Sequence, residues 1–264
     1  MSAKIRVLLT NDDSINAPGL RAMAKCLVEK GYFEVYVVAP DHERSASGRA
    51  ITIHDPIKVK SRNDITEYQG VEGVWETSGT PADCVKLGVY ALFEGKPDMV
   101  ISGINRGANL GTDILYSGTV AGAIEGALLN IPSIAVSLVH YEPDSYAVAA
   151  EYIAGFVSRI RDIEITNKTF FNINIPYPTV KGETLATLCN RQYLDIFEKR
   201  LDPRGNEYYW LSGEIIEESG EGLTDSQAVE KGVVSITPVE LDMRRFGGET
   251  SSMRSAIAGV LQQK

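Results

Sequence analysis

The sequence predicts an α/β fold in which a mainly parallel β-sheet carries helices on both faces. Over the first two-thirds of the chain, short apolar runs rich in β-branched residues alternate with stretches of helical periodicity. Such alternation is typical of parallel sheets connected by crossover helices. The 264 residues are 44% hydrophobic and 23% charged, which is the composition of an ordinary globular protein. A chain of this length buries enough surface to fold without a disulfide or a structural metal.

Apolar patterns predict the individual elements. Ile5–Thr10 contains the continuous apolar run Val7-Leu8-Leu9, which predicts a buried strand. Pro18–Lys30 has a proline in its first turn and apolar residues on one face, which predicts a helix. The same criteria predict the strands Glu34–Ala39, Met99–Ser102, Ile134–Leu138, Thr169–Ile175 and Val233–Thr237, and the helices Thr80–Phe93, Thr119–Leu129, Ala147–Ile160 and Ser251–Leu261.

The last third of the chain is more polar and predicts an antiparallel extension. Two strands within Lys181–Trp210 flank the turn signal Asp202-Pro203-Arg204-Gly205, which indicates a β-hairpin. The acidic segment Glu214–Glu221 is predicted as a loop. We expect one domain with a core, residues 1–185, and an extension, residues 186–264, that is too polar and elongated to pack wholly on its own chain. A surface hairpin without a partner is the alternative.

Charge and cysteine content exclude several classes of protein. The 35 acidic and 26 basic side chains give a net charge of −9, which argues against non-specific nucleic-acid binding. An anionic substrate therefore needs a local positive charge such as a divalent cation. The three cysteines are scattered, without a Cys/His cluster, which is typical of a reducing compartment and excludes a zinc site of usual spacing. No apolar run is long enough to span a bilayer, and the N-terminus lacks a signal-peptide pattern, so we expect a cytoplasmic protein.

Two adjacent carboxylates, Asp12 and Asp13, directly follow the first predicted strand. In parallel sheets, ligands bind in the crevice beyond the carboxyl ends of the strands. Neighbouring carboxylates repel unless a cation lies between them, and hard cations such as Mg²⁺ prefer oxygen ligands. A helix cap or a turn is the alternative role for either residue.

Four further polar segments follow strands or begin helices, and each is also explained as a solvated turn or an N-cap. Hydroxyl and amide side chains offer neutral oxygen ligands, and backbone N–H groups at a helix start form a phosphate-sized anion site. The candidate residues in these segments are Ser45, Gly79, Thr80, Asn105, Asn109, Ser117, Gly118 and Thr119.

Motifs of several other enzyme classes do not occur. No GxGxxG follows the first strand, and GxxxxGK[ST], HExxH and GxSxG are missing from the sequence. A phosphoreceiver domain needs a phosphoacceptor aspartate at the end of a central strand, where this chain has Ser-Gly-Ile-Asn. A haloacid-dehalogenase-like phosphatase needs a DxD spacing that Asn11-Asp12-Asp13 lacks.

Five segments, from Ile5 to about Pro238, resemble the SurE family of metal-dependent nucleotidases. In chain order they read TNDDSINAPGL, VVAPDHERSASGRAITI, TSGTPADCVKLG, DMVISGINRGANLGTDILYSGTVAGAIEGA and GVVSITP. The resemblance implies a Rossmann-like, three-layer fold with a catalytic core. It implies hydrolysis of nucleoside 5′-monophosphates to nucleoside and phosphate, with 3′-nucleotides and short polyphosphate as further candidate substrates. It also implies one divalent cation per subunit, Mg²⁺ or Mn²⁺, held by Asp12, Asp13, Ser45 and Asn105.

The resemblance also supplies expected roles. We expect Asp12 and Asn105 to act catalytically, with Asp12 orienting or deprotonating the attacking water. The expected substrate-binding residues are Asn109, Ser117, Gly118, Thr119, Gly79 and Thr80. The extension is expected to form a homodimer or homotetramer.

Two positions depart from the family's pattern. Ser14 stands where glycine is usual, and a positive φ there strains a residue with a Cβ by about 1–2 kcal/mol. A nucleotide- or phosphate-binding module without turnover is therefore the alternative function. The chain also reads GRAITI where the family commonly has GHSITI, so we assign no role to the changed positions.

Overall fold

The computed structural model describes residues 4–139, 145–161, 163, 165, 168–218 and 222–241. Its strands are β1 Ile5–Thr10, β2 Phe33–Pro40, β3 Val59–Ser61, β4 Gly73–Thr77, β5 Met99–Arg106, β6 Ser133–Leu138, β7 Thr169–Ile175, β8 Glu183–Leu185, β9 Asn190–Leu201, β10 Glu207–Glu218 and β11 Val234–Glu240. Its α-helices are α1 Pro18–Lys30, α2 Pro81–Leu87, α3 Gly118–Leu128, α4 Ser145–Ile160 and α5 Asp225–Glu230. The predicted helix Ser251–Leu261 lies outside the described residues.

Within the described residues, nine strands form one sheet in the order β3-β4-β2-β1-β5-β6-β7-β11-β8. The six strands from β4 to β7 in this order are parallel to one another, whereas β11 runs antiparallel to β7. The predicted mainly parallel sheet is confirmed. Because β2 lies on one side of β1 and β5 on the other, the chain changes direction across the sheet between β1 and β5.

Helices cover both faces of the sheet, as predicted. Alternate residues of β1 point to opposite faces, so Val7 and Leu9 pack in a cluster with α1 and α4, while Leu8 packs with Cys84 and Val85 of α2. Helix α3 contacts α2. None of the described helices combines the length and the apolar character that crossing a bilayer requires.

Most predicted elements agree with the structure to within a few residues, and the exceptions have physical reasons. The helix predicted over Thr80–Phe93 is an α-helix only to Leu87 and continues as a π-helical turn over Gly88–Leu92. Strands β3 and β8 are too short and exposed to produce an apolar pattern.

The predicted hairpin is present, but the predicted loop over Glu214–Glu221 is wrong for most of its length. Strand β10 extends to Glu218 and pairs antiparallel with β9 along its whole length. The turn lies at Asp202, where the carbonyl accepts a hydrogen bond from the N–H of Gly205 at 3.0 Å. The hairpin forms a separate two-stranded sheet that is exposed to solvent. Its strands can therefore be as polar as loops, and the acidic residues led to the wrong prediction of a loop.

Candidate active site

A cavity of about 530 Å³ opens beyond the carboxyl ends of β1 and β5, where the sheet order reverses. Parallel α/β sheets bind ligands at such a switch point, and this volume is typical of small-molecule sites. Asp12, Asp13, Ser45 and Asn105 all line this one cavity. The structure therefore brings together four side chains from three separate chain segments.

Asp12 is held from several sides at the end of β1. Its side chain accepts a hydrogen bond from the Thr119 hydroxyl, and its backbone carbonyl accepts one from the N–H of Arg44 at 2.7 Å. Gly118 lies so close that a Cβ there would be 2.7 Å from the Asp12 Cβ. Asp12 is only 4% exposed, and burial raises the pKa of its carboxyl group.

Asp13 carries the second carboxyl group. Partial burial, and then the neighbouring charge of Asp12, raise the pKa of Asp13 to about 6. Two adjacent carboxylates with raised pKa values are both stabilised in their ionised form when a cation lies between them. The electrostatics of this pair therefore fit a bound metal ion.

Ser45 and Asn105 add neutral oxygen atoms. The Ser45 hydroxyl donates to Glu43 Oε1 at 2.7 Å, which leaves the lone pairs of its oxygen for a ligand. Asn105 Nδ2 donates to the Gly107 carbonyl at 2.9 Å, so Oδ1 remains as the acceptor. Two carboxylates, a hydroxyl and an amide form a donor set suited to Mg²⁺ or Mn²⁺. Among the described residues no cluster of three or more His, Cys, Asp or Glu side chains is arranged to hold a metal. The donor set described above has only two carboxylates, and its other two ligands are a hydroxyl and an amide.

A β-bulge in β5 places Asn105 at the cavity. Between Ser102 and Asn105 the register with β6 shifts, so that Asn105 is opposite Ser137. The extra residue leaves Ile104 buried in the core and puts the polar side chain at the carboxyl end of the strand. Bulges commonly redirect side chains next to active sites.

Helix α3 begins beside the cavity with the predicted Ser117-Gly118-Thr119 segment. Ser117 lines the cavity and is the N-cap, because its Oγ accepts from the N–H of Val120 at 3.2 Å. The side chain of Thr119 is fully buried and donates to Asp12. Gly118 and Thr119 therefore support Asp12 directly and do not line the cavity.

Asn109 lines the cavity and is fixed by a buried network of amides. Its backbone N–H donates to Asn174 Oδ1 at 2.8 Å, and its carbonyl accepts from Asn172 and Asn174 at 2.8 and 2.9 Å. Its Nδ2 donates to Ser137 Oγ at 2.7 Å. Two asparagines in the otherwise apolar strand β7 were the sequence signal for this network, and the sequence reasoning missed it.

The structure does not bring Gly79 and Thr80 to the cavity. Thr80 forms a capping box with Asp83 at the start of α2, and its hydroxyl donates to the Ala50 carbonyl at 2.7 Å. The N-cap alternative therefore describes Thr80.

Comparison with known proteins identifies the family. A sequence model described as "Survival protein SurE" matches residues 7–195. The chain belongs to the SurE family.

Relatives with the same name are similar over nearly their whole length. The 5′-nucleotidase SurE of Natranaerobius thermophilus is 50% identical over 247 residues, which is 92% of this chain and 95% of that protein. The 5′-nucleotidase SurE of Synechococcus sp. strain JA-3-3Ab is 42% identical over 253 residues, 95% of this chain and 97% of that protein. The crystal structure of the SurE protein from Aquifex aeolicus is 40% identical, with a TM-score of 0.75, over 90% of this chain and 94% of that chain.

Ser14, the departure from the SurE pattern, has a positive φ of 88°. The left-handed conformation that glycine favours is therefore present at this position with a serine. Asn11 Nδ2 donates to the Ser14 carbonyl at 2.9 Å and holds the turn. The candidate ligands of this SurE chain still line one cavity, so Ser14 does not displace them from it.

Further residues that the sequence reasoning missed also line the SurE cavity. They are Ala17, Pro18, Glu43, Ala46, Arg106, Asp113, Tyr116, Tyr146 and Tyr193. Tyr193 comes from the hairpin, and its hydroxyl donates to Asp113, which lies 80 residues away in sequence. No local pattern indicates such a contact.

Proposed function

We propose that this SurE-family chain is a divalent-metal-dependent phosphomonoesterase that hydrolyses nucleoside 5′-monophosphates to nucleoside and phosphate. The observation that carries the proposal is the convergence of two carboxylates, a hydroxyl and an amide on one cavity at the sheet's switch point. Relatives at 42% and 50% identity are named 5′-nucleotidase SurE, which supports the same activity here.

Asp12, Asp13, Ser45 and Asn105 would hold the cation. When bound, a divalent cation polarises a phosphoryl oxygen and lowers the pKa of a water molecule. Asp12 orients the attacking water or accepts its proton. The hydrogen bond from the Thr119 hydroxyl to Oδ1 fixes the orientation of the Asp12 carboxylate for this role.

The phosphate is bound at the start of α3. The Ser117 oxygen accepts from Val120, so its hydroxyl proton is available to a phosphate oxygen. Asn109 Nδ2 has a second hydrogen beyond the one bonded to Ser137. Both donors stabilise the charge that builds up on the phosphoryl group, whereas Gly118 and Thr119 act indirectly, by holding Asp12. We assign Thr80 to capping α2, and neither Gly79 nor Thr80 to substrate binding.

Metal withdrawal tests this proposal. Phosphate release is measured from nucleoside 5′-monophosphates, 3′-nucleotides and short polyphosphate with Mg²⁺ or Mn²⁺, and again with EDTA. We expect EDTA to lower the rate at least about 100-fold, because metal ions contribute several kcal/mol to such reactions, and added cation to restore it. Undiminished hydrolysis in EDTA contradicts the mechanism. Nucleotide binding without phosphate release in any metal supports the alternative of a binding module.

We also propose that the hairpin of residues 190–218 assembles two or four copies of the chain, with residues 1–185 forming the catalytic unit. A two-stranded sheet alone is marginally stable in water, and large exposed apolar patches mark protein interfaces. The exposed apolar side chains of the hairpin are Tyr193, Leu194, Ile196, Phe197, Leu201, Tyr208, Tyr209, Trp210, Leu211, Ile215 and Ile216. Aromatic residues of this kind are enriched at interfaces.

Light scattering tests the assembly. We expect a molar mass of two or four times the 28.8 kDa of one chain. Trp210→Lys is expected to shift the mass towards one chain, because it places a charge in the apolar surface. Tyr90→Lys is the matched control, since Tyr90 is an exposed aromatic residue outside the hairpin. A wild-type mass of one chain overturns the proposal.

A further inference from the structure

Among the described residues, three tyrosines line the cavity beside its polar groups, and the phosphate chemistry proposed above uses none of them. Tyr146 is buried and packs against α1, where a Cβ on Gly19 would lie 3.0 Å from its ring. Tyr116 and Tyr193 are 66% and 43% exposed. These two residues present aromatic surface to solvent at the opening of the cavity.

Tyr193 is held in place by hydrogen bonds at the base of the hairpin. Its hydroxyl donates to Asp113 Oδ1, and Arg191 Nη1 donates to Asp113 Oδ2 at 2.6 Å. Arg191 also pairs with Glu217 of β10 at 2.5 Å, and its carbonyl accepts from the Thr112 hydroxyl. This network fastens the hairpin to the 3₁₀ segment Gly111–Leu115, which lies between β5 and α3.

These hydrogen bonds determine which part of the Tyr193 side chain can contact a ligand. Because its hydroxyl already bonds to Asp113, the group left for a ligand is the flat face of the ring. The side chain of Arg191 is only 13% exposed, so the ion pairs that hold Asp113 are shielded from solvent.

We propose that Tyr193 stacks on the base of the nucleotide, so that the hairpin contributes a base-binding wall to the cavity. The proposal rests on the proposed function, because it names the subsite for the nucleoside half of that substrate. Ser117, where we propose that the phosphate binds, and Tyr193 line the same cavity. Stacking contributes to binding for every base, since each has a π face, and the site is therefore expected to accept several bases. Asp113 and Arg191 are positioning residues for the ring.

A comparison of substrates with and without a base distinguishes base stacking by Tyr193 from a purely structural role of this residue. Tyr193→Ala is expected to raise KM for adenosine 5′-monophosphate about tenfold, the size of a typical stacking contribution. Its kcat/KM for ribose 5-phosphate, which has no base, is expected to change less than about twofold. Tyr193→Phe keeps the ring and is expected to stay within about threefold of wild type on both substrates.

The controls exclude indirect effects of the hairpin. Tyr193→Leu keeps an apolar side chain without a π face and is expected to behave as the alanine variant does. Tyr209→Ala removes another exposed tyrosine of the same hairpin, which does not line the cavity. Any effect of this variant through assembly is expected to be equal on the two substrates. Equal losses on the two substrates, or full activity of Tyr193→Leu on adenosine 5′-monophosphate, overturn the proposal.

A binding measurement separates failure of this proposal from failure of the proposed reaction. Saturation-transfer NMR with adenosine in EDTA needs neither turnover nor metal. We expect transfer to the adenine protons in the wild type and in Tyr193→Phe, and its loss in Tyr193→Leu. If that pattern appears without phosphatase activity in any metal, the subsite stands and the proposed reaction fails. If wild type and Tyr193→Leu give equal transfer, the subsite fails whatever the activity.

Discussion

Replacement of Asp12 by asparagine is expected to lower kcat/KM for nucleoside 5′-monophosphates at least about 1,000-fold. The variant loses one charge of the proposed cation site and an oxygen of the carboxylate that orients the attacking water, and the cation held there contributes several kcal/mol of transition-state stabilisation. The asparagine Oδ1 still accepts the hydrogen bond from Thr119, so the start of α3 keeps its contact. Phosphate release at saturating Mn²⁺ measures the effect.

The stability of the metal-free variant shows whether the loss is chemical. Burial raises the pKa of Asp12 above its usual 3.8, so the ionised side chain opposes folding, and this destabilisation grows as the pH rises above 3.8. In EDTA at pH 7, Asp12→Asn is therefore expected to unfold at a higher urea concentration than the wild type, and at pH 3 the two are expected to coincide. Asp64→Asn, at an exposed position, is the matched control for activity. An Asp12→Asn variant with more than a tenth of wild-type activity refutes the assigned role.

Replacement of Gly103 by alanine is expected to destabilise the protein by about 3 kcal/mol or more. Gly103 lies in the bulge of β5 with a φ of 132°, and a Cβ there would be 2.4 Å from the backbone oxygen of Val136 on β6. The clash involves backbone and is not relieved by rotating a side chain. Because the bulge also places Asn105 at the cavity, activity is expected to fall with stability. Urea unfolding in EDTA gives the stability change.

Gly107→Ala is the matched control for this effect. Gly107 also has a positive φ, of 109°, but a Cβ there meets no atom within 4 Å. It therefore carries only the backbone strain, about 1–2 kcal/mol. Equal destabilisation by the two alanines contradicts the steric argument for Gly103.

The central strands were predictable because burial on both faces leaves segments that are mostly apolar and rich in branched residues. Ile5–Thr10 and Thr169–Ile175 are predicted with the bounds that the structure shows. The edge strand Val59–Ser61 is exposed at every residue, so it carries no such signal. The part of β10 from Glu214 to Glu218 was not predicted as a strand for the same reason. Its residues form a strand through backbone pairing with β9 and not through side-chain burial.

The polar half of the candidate site was predictable because its residues directly follow strands. Parallel strands bring their carboxyl ends to one edge of the sheet, so the topology brings Asp12 and Asp13 to the end of β5 that carries Asn105. The bulge in β5 then places Asn105 at the cavity. The aromatic half was not predictable in this way. Tyr193 reaches the cavity only because Asp113 and Arg191 anchor the hairpin across a long sequence separation, and neither periodicity nor spacing encodes that anchor.

The side-chain amides of Asn172 and Asn174 on β7 hold the backbone N–H and carbonyl of Asn109 by buried hydrogen bonds. The segment that carries Asn109 cannot loosen without leaving buried donors and acceptors unpaired, at about 1–3 kcal/mol for each group. Its conformational entropy is therefore lost once, when the polypeptide folds. This part of the cavity wall is therefore preorganised before a ligand binds. The ligand's affinity is not reduced by the entropy cost of immobilising the Asn109 segment.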